Sequence, residues 1–315
     1  MTGNQTLSAN NQSSQHSSRR WLTPLSMVLV GLLAFILYRR ALDFAFFNDD
    51  PTGHFAWMES RSFIDFFTSS AAYGYYRPIV FVTLKGLVTL GGYNAALHHA
   101  LLLLLNSANA ALLWLLAARL SRSRAYAWAA ALIFITFPFS YEAVAYVASL
   151  THPLLLFWLL LTILFYQQAQ RRSRQVYGIA AFITLLLGLF THENGLFIPI
   201  ALAGVEWLER PPRSLIEGIK RPFLPYFGAA ALFLLLWLFI PKNNEQGLST
   251  LPTAISNLTP FLQSLVYPLL PALTLDSGSL IALVGLSIVV VGLLFGAAAM
   301  AGAKHLWVFA LAWFG

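Results

Sequence analysis

Long uninterrupted apolar runs constrain this chain more than any other feature. A last run begins near Leu306, and the others lie at about 21–38, 98–118, 126–139, 153–167, 177–208, 223–240 and 279–300. About 20 apolar residues in a helix match the hydrocarbon thickness of a bilayer. Hydrophobic residues make up 58% of the 315 positions and charged residues only 10%, whereas soluble domains carry about a quarter charged residues. The sequence therefore predicts an all-α, polytopic transmembrane helical bundle of about 8–9 spans.

The order of polar and apolar segments divides the chain into four parts. Residues 1–20 are rich in Ser, Asn and Gln, so we expect a disordered cytoplasmic tail. Residues 21–42 are expected to be the first transmembrane helix, because no small-residue cleavage site of a signal peptide follows them. Residues 43–97 are expected to form an external loop with interfacial helices and candidate catalytic acids. The remaining transmembrane helices fall in 98–315, and the last apolar run is cut short, so we expect a truncated C-terminal end.

Two of the apolar segments are unusual in length. Residues 79–92 are only 14 long and contain Lys85, which fits an interfacial helix better than a span. Residues 177–208 are too long for one helix and carry the polar tetrad Thr191-His192-Glu193-Asn194 near their middle. We expect a hairpin of two spans with this tetrad at the bend.

The distribution of charge predicts the orientation. With a cytoplasmic N-terminus and 79–92 on the surface, most of the 19 Lys and Arg residues fall in cytoplasmic loops. A rival topology, with the N-terminus outside and 79–92 as a span, also satisfies the basic count. The rival topology would place the loops of Asp49 and Glu193 on opposite faces of the membrane. We therefore favour the topology with a cytoplasmic N-terminus. The sequence thus predicts a multi-pass protein, of a bacterial cytoplasmic membrane, whose active face is external.

The formal net charge of +7 is explained by these basic loops. We predict no nucleic-acid partner, because the chain has no soluble domain to bind one. The lipid bilayer is the expected environment of most of the sequence.

Ionisable side chains collect in the loops of the predicted external face. Such groups are costly at the edge of the hydrocarbon, so they are functional candidates when several converge on one side. The candidate site residues are Asp49, Asp50, Arg77, Lys85, His98, His99, Glu142, His152, His192 and Glu193.

Asp49 and Asp50 follow the first span and have aromatic residues before and after them. A carboxylate in a partly dry pocket is basic enough to take a proton from a hydroxyl, so we predict a catalytic base or a substrate-binding acid. Asp50 also precedes Pro51, which makes a helix N-cap the alternative interpretation. One residue can fill both roles.

The other candidates are predicted to bind an anionic substrate such as a phosphate. The guanidinium of Arg77 can pair bidentately with phosphate oxygens, and its alternative is to extend toward lipid headgroups. Lys85 and the pair His98-His99 could add positive charge nearby, although the histidines could instead cap a helix. The second and third external loops contribute Glu142, His152, His192 and Glu193.

No cofactor motif accompanies these residues. The chain has no Cys, and adjacent pairs such as His98-His99 and His192-Glu193 chelate a metal poorly. We find no Walker loop, dinucleotide fingerprint, nucleophile elbow or zincin helix. We predict no cofactor, and a divalent metal has no supporting motif. An enzyme of this kind would need an activated substrate that is itself a lipid.

The order of several elements resembles the GT-C glycosyltransferases, over about residues 21–210. These elements are the N-terminal span, the loop with paired acids, Tyr75-Tyr76-Arg77-Pro78 before a short apolar helix, and the span that begins with His98-His99. The closest branch contains the protein O-mannosyltransferases and the transmembrane-and-TPR O-mannosyltransferases. Its Pro-x-x-x-Glu-Ala-Val element is matched by residues 138–144, and its Lys-Glu element in part by His192-Glu193. Asn106 stands near the place of a second family histidine.

The resemblance implies an inverting glycosyltransferase that uses a polyprenyl-phosphate-linked sugar. It assigns the base to Asp49 or Asp50 and the donor phosphate to Arg77 with His98 or His99. The acceptor would be a hydroxyl of a protein, lipid or glycan. The alternatives are a polytopic transporter of lipids or glycans and a non-catalytic membrane protein of envelope assembly.

Overall fold

The computed structural model describes residues 4–47, 50–71, 74–210 and 224–241. All regular elements in these ranges are helical, which confirms the predicted all-α class for this part of the chain. The long helices are α1 (Asn4–Tyr38), α2 (Pro78–Gly91), α3 (Ala95–Ser121), α4 (Arg124–Thr136), α5 (Thr151–Arg172), α6 (Gln175–Leu189), α7 (Ile198–Glu209) and α8 (Leu224–Phe239).

Short helical turns join the long helices at one end of the bundle. Four of them are α-helical or π-helical: Asp50–Phe55, Ala56–Glu59, Asp65–Thr68 and Glu142–Ala145. The 3-10 turns are Arg39–Asp43, Pro138–Tyr141, Val147–Leu150 and Glu193–Phe197.

Among the described residues, three helical segments are long and apolar enough to cross a membrane: Trp21–Asp43, Ala95–Ser121 and Val147–Arg172. They contain 23, 27 and 26 residues, and the apolar helices α2, α4, α6 and α8 are shorter. The structure is therefore compatible with a membrane protein, and it supports three spans where about 8–9 were predicted from the apolar runs. The predicted spans at 279–300 and from residue 306 lie outside the described residues.

Helix α1 begins at Asn4, so residues 4–20 are helical where their composition predicts disorder. The difference has a physical reason. Residues added to an existing helix avoid the cost of nucleation, and the apolar helix that follows supplies a preformed end from which the polar turns can propagate.

The long run at 177–208 is divided into α6 and α7, with a bend where the polar tetrad was expected. The hydroxyl of Thr191 donates to the Leu187 carbonyl at 2.6 Å, which ends α6. The backbone N–H of Asn194 donates to Nδ1 of His192 at 3.0 Å, which begins the turn Glu193–Phe197. The predicted bend is confirmed, whereas α6 and α7 have 15 and 12 residues and are shorter than the two spans that were predicted.

Helix α3 lies at the centre of the bundle and packs against α1, α4 and α5, while α5 packs in turn against α6. Most of the contact is apolar, but two polar contacts join the helices internally. Asn109 Nδ2 donates to the Pro153 carbonyl at 2.8 Å, and the hydroxyls of Thr162 and Thr184 lie 3.0 Å apart. Polar contacts of this kind fix the register of helices that are apolar on most of their surface.

The ends of the bundle differ in their polar contacts. At one end, where α3, α5 and α7 terminate, Glu209 accepts hydrogen bonds from Gln167 and Arg171, both at 3.0 Å. Gln167 also accepts from Arg119 at 3.4 Å. We call this the Glu209 end. The opposite end, where these helices begin, carries Arg77 and is called the Arg77 end.

Candidate functional site

Nearly all described candidate residues lie at the Arg77 end, and they form two groups. We call Asp50, His98 and His99 the buried group, since each side chain is at most 1% exposed. We call Arg77, His152, His192 and Glu193 the corner group, where the start of α2 and the bend between α6 and α7 meet the start of α5.

Asp50 is completely buried and both of its carboxylate oxygens accept backbone hydrogen bonds. Oδ1 accepts from the N–H of Ala148 at 2.7 Å, and Oδ2 accepts from the N–H of Phe47 at 3.3 Å. Ala148 lies in the 3-10 turn that leads into α5, 98 positions along the chain. The carboxylate therefore ties the first loop to the beginning of a spanning segment. Burial raises the pKa of Asp50 above its ordinary value, although the two N–H donors oppose this change.

The pair His98-His99 begins helix α3 and is turned inward. Nδ1 of His98 lies 2.9 Å from the Asn94 carbonyl, and Nδ1 of His99 lies 3.0 Å from the Val144 carbonyl. Because a carbonyl oxygen only accepts, these contacts assign a proton to Nδ1 of each ring. Both Nε2 atoms are buried without a hydrogen-bond partner among the described residues.

This arrangement disagrees with the predicted role of the pair. Each Nδ1 is already held by a backbone carbonyl, so only the buried Nε2 atoms of His98 and His99 remain for a phosphate oxygen. Aromatic rings also enclose them: Phe46 lies 5.1 Å from the His98 ring and Phe44 lies 6.1 Å from the His99 ring, both edge-on. The two histidines pack the first loop onto α3.

In the corner group, Arg77 and Glu193 form a two-pronged ion pair across 116 positions of sequence. Nη2 donates to Oε1 at 2.8 Å and Nε donates to Oε2 at 3.2 Å. The backbone N–H of Ile79 also donates to the Phe190 carbonyl at 3.1 Å, which holds the start of α2 against the end of α6. The guanidinium of Arg77 lies over the ring of Tyr75, 4.0 Å from its centroid.

The ion pair fixes the charge of Glu193. Burial alone would raise the pKa of this carboxyl, but the hydrogen bonds and charge of Arg77 outweigh burial and leave the pKa of Glu193 below its ordinary value. The side chains of Arg77 and Glu193 are 13% and 32% exposed, so the pair is open to solvent or ligand on one side. Within the described part of the chain, Nη1 of Arg77 makes no hydrogen bond.

His192 is neutral at physiological pH. Burial, followed by the charge of Arg77, lowers its pKa from 6.5 to about 4. Its Nδ1 lies 3.7 Å from Glu193 Oε2, and this contact is no ion pair because the ring is uncharged and Nδ1 accepts from Asn194. The ring proton is therefore assigned to Nε2, which makes His192 an uncharged donor. The rings of His152 and His192 lie 5.4 Å apart.

The remaining candidates are less closely associated with the corner. Glu142 is exposed and begins the short helix Glu142–Ala145. Lys85 is held elsewhere: its ammonium donates to the carbonyls of Arg61 and Met58, within the first loop. We predicted that Lys85 adds positive charge near the substrate. These contacts disagree with that prediction, because the ammonium of Lys85 holds the first loop against α2. Asp49 lies outside the described residues.

Of two polar residues inside the bundle, Asn109 was not identified from the sequence, and Asn106 was noted only for its place in the family resemblance. Asn106 and Asn109 on α3 are both buried, and Asn106 Nδ2 has no hydrogen-bond partner among the described residues. A polar side chain inside an apolar run is the signal that could have found them. In the residues that the structure describes, no group of three or more His, Asp or Glu side chains could hold a metal ion.

The corner group offers the Arg77 guanidinium, whose Nη1 makes no hydrogen bond to another described residue, and one neutral imidazole donor, both beside an ionised acid. Such donors suit an anion that carries further hydrogen-bonding groups, such as a phosphate ester. No family model, curated protein or solved structure matches this chain. Its function is therefore inferred from the geometry of its own residues.

Proposed function

We propose that the chain is a GT-C-type glycosyltransferase that transfers a sugar from a polyprenyl-phosphate-linked donor to an acceptor hydroxyl at the external membrane face. The observation that carries the proposal is the corner group: three loops separated in sequence bring Arg77, His152, His192 and Glu193 together at the end of an apolar bundle. An anionic lipid in the bilayer can reach such a position without crossing bulk water.

The phosphate of the donor binds the unused edge of Arg77. Glu193 occupies Nε and Nη2 of the guanidinium, which orients Nη1 and limits the phosphate to one approach. His192 contributes Nε2–H as an uncharged donor. A neutral imidazole beside Arg77 avoids placing a second cation next to the first, consistent with its low pKa of about 4.

Among the acids, Asp49 is assigned the role of catalytic base and Asp50 that of a positioning residue. Both oxygens of Asp50 already accept backbone N–H groups, and its side chain is 0% exposed, so an acceptor hydroxyl has no access to it. Glu193 is a poor base because Arg77 holds its pKa below the ordinary value. Asp49 is the neighbouring carboxylate in the sequence.

The reaction is a single displacement. The base removes the proton of the acceptor hydroxyl, whose oxygen attacks the anomeric carbon of the sugar from the side opposite the phosphate. The bond between that carbon and the phosphate oxygen breaks, and the electron pair leaves with the polyprenyl phosphate. Arg77 stabilises the negative charge that develops on the phosphate. Inversion at the anomeric carbon follows from the single displacement.

The test is a transfer assay with a radiolabelled polyprenyl-phosphate sugar and the variants Asp49→Asn and Asp50→Asn, made singly and together. Loss of the base is expected to lower the rate by about 10²–10³ in Asp49→Asn. Asp50→Asn is expected to lose folding stability and to keep more of the activity. Full activity in the double variant would exclude a carboxylate base in this loop.

The same assay separates the alternatives. Movement of intact labelled lipid across the bilayer without cleavage of the sugar–phosphate bond would identify a transporter. A folded chain that neither transfers sugar nor binds polyprenyl phosphate would be a non-catalytic partner in envelope assembly.

A further inference from the structure

Two turns at the Glu209 end share one tripeptide. Arg122-Ser123-Arg124 joins α3 to α4, and Arg172-Ser173-Arg174 joins α5 to α6. Each turn contains a non-glycine residue in the left-handed region, with φ of 55° at Arg122 and 51° at Ser173. A left-handed residue ends a helix within one position, so the arginines of both turns lie at the helix ends or next to them.

The two turns lie close together because α3 and α5 pack side by side. Arg119, three positions before the first turn, donates to Gln167, and Gln167 donates to Glu209, which also binds Arg171 beside the second turn. These contacts connect the two helix ends through side chains.

The described acids of this end, Glu206 and Glu209, already have cationic partners. Glu209 pairs with Arg171 at 3.0 Å, and Glu206 lies 3.9 Å from Arg210. Arg122, Arg172 and Arg174 are exposed, and none forms an ion pair with another described residue. The Glu209 end therefore presents positive charge that the described part of the protein does not neutralise.

The length of the helices determines what this charge can meet. Helix α3 has 27 residues and is about 40 Å long, which exceeds the roughly 30 Å hydrocarbon thickness of a bilayer. The excess carries the turns into the headgroup layer. Tyr126 and Trp207 lie at this end and are 67% and 44% exposed, and these two residue types concentrate at the membrane–water interface.

We propose that the two Arg-Ser-Arg turns form a binding surface for the phosphate groups of anionic phospholipids. A guanidinium binds phosphate oxygens through two parallel hydrogen bonds, and adjacent turns allow neighbouring headgroups to be bound together. The aromatic residues at the same depth favour lipid over a soluble acidic protein, which would meet the arginines above the headgroup layer. This surface is independent of the transferase proposed above and lies at the opposite end of the bundle.

The test measures lipid preference in the purified full-length chain, reconstituted in phosphatidylcholine with spin-labelled phosphatidylglycerol or spin-labelled phosphatidylcholine. The motionally restricted fraction of each label gives the relative affinity. We expect the native chain to prefer phosphatidylglycerol. The triple variant R122Q/R172Q/R174Q is expected to lose that preference by up to about fivefold for each arginine removed.

The matched control is R39Q/R40Q, which removes two exposed arginines at the other end of the first spanning segment. It is expected to leave the preference nearly unchanged. R122K/R172K/R174K keeps the positive charge but replaces each planar guanidinium with an ammonium, so it is expected to retain part of the preference for phosphatidylglycerol. Circular dichroism and thermal unfolding of each variant establish that it is folded.

Three results would overturn the proposal: no preference for phosphatidylglycerol in the native chain, an undiminished preference in a folded triple variant, or an equal loss in R39Q/R40Q. Binding of a soluble acidic peptide that displaces phosphatidylglycerol at equal charge would identify a protein-binding surface instead.

Discussion

The two polar groups at the Arg77 end contain similar residue types and are built differently. In the buried group, both carboxylate oxygens of Asp50 accept hydrogen bonds from backbone N–H groups. Nδ1 of His98 and Nδ1 of His99 each donate to a backbone carbonyl. In the corner group, side chains bind one another, and Arg77 and Glu193 remain 13% and 32% exposed. The buried group connects segments of the chain, whereas the corner group holds charge where a ligand can reach it.

The comparison separates two uses of an ionisable group near a membrane. A carboxylate that satisfies backbone donors fixes a loop, and its removal leaves those donors unpaired. A guanidinium held by one acid keeps its orientation and still offers a free edge. The predictions below test whether stability is concentrated in the buried group and activity in the corner group.

The largest effect is expected for Arg77→Gln in the transfer assay. Loss of the cation that stabilises the departing phosphate should lower the rate by about 10²–10³. Arg77→Lys keeps the charge but cannot hold Glu193 with two bonds, so it should recover only part of the activity. Arg39→Gln is the control and should transfer sugar normally. A native rate in Arg77→Gln would remove the corner group from the mechanism.

Asp50→Ala should show the opposite pattern, with a large loss of stability. The backbone N–H groups of Phe47 and Ala148 would lose their acceptors inside the protein, at a cost of about 2–4 kcal/mol in the free energy of unfolding. Asp50→Asn keeps one acceptor oxygen and should lose about 1–2 kcal/mol. Unfolding in detergent micelles measures both. Two variants as stable as the native chain would contradict the positioning role.

The bend that carries Glu193 should be intolerant of a side chain at Gly195. A Cβ there would lie 2.7 Å from the Gly188 carbonyl oxygen and 2.8 Å from the Leu189 Cα, both in the backbone of α6. Gly195→Ala should lose about 2–3 kcal/mol of stability. Gly178→Ala, in helix α6 and with open space around the added Cβ, should gain about 0.5–1 kcal/mol. Equal effects of the two changes would show that the bend is not closely packed.

The pH dependence of stability should report on His192. Its pKa is lowered from 6.5 to about 4, so the unfolded chain takes up a proton at higher pH than the native chain. The contribution of His192 to the free energy of unfolding is therefore fully present above about pH 6.5. It is lost as the pH falls toward 4, by on the order of 2–3 kcal/mol. His192→Asn keeps an acceptor for the Asn194 N–H and cannot titrate in this range. A native-like pH profile in this variant would assign the dependence to other groups.

The sequence predicted the local features of the structure better than the pairing of its residues. The apolar runs predicted α3 and α5, and the polar tetrad predicted the bend at Thr191, because hydrophobic periodicity and helix-breaking polarity are local signals. The partner of Arg77 lies 116 positions away, and no spacing rule connects them.

The roles of the histidines and of Lys85 could not be predicted for a related reason. His98 and His99 were expected to bind phosphate, but backbone carbonyls set their tautomers, and those carbonyls are positioned only by the folded loops. Lys85 was expected near the substrate, and its ammonium instead meets the carbonyls of Met58 and Arg61. Residue type identifies a group that can be charged, while the tertiary structure decides whether it donates, accepts or fastens a loop.

The most direct test is the equilibrium binding of a short-chain polyprenyl phosphate to the native chain, Arg77→Gln and Arg39→Gln in nanodiscs of uncharged lipid. If the corner group is a lipid-phosphate site, the native chain and Arg39→Gln bind alike, and Arg77→Gln binds about 10- to 100-fold more weakly, as expected for one charged hydrogen-bond partner. Equal binding by all three, or no binding by the folded native chain, would contradict the account.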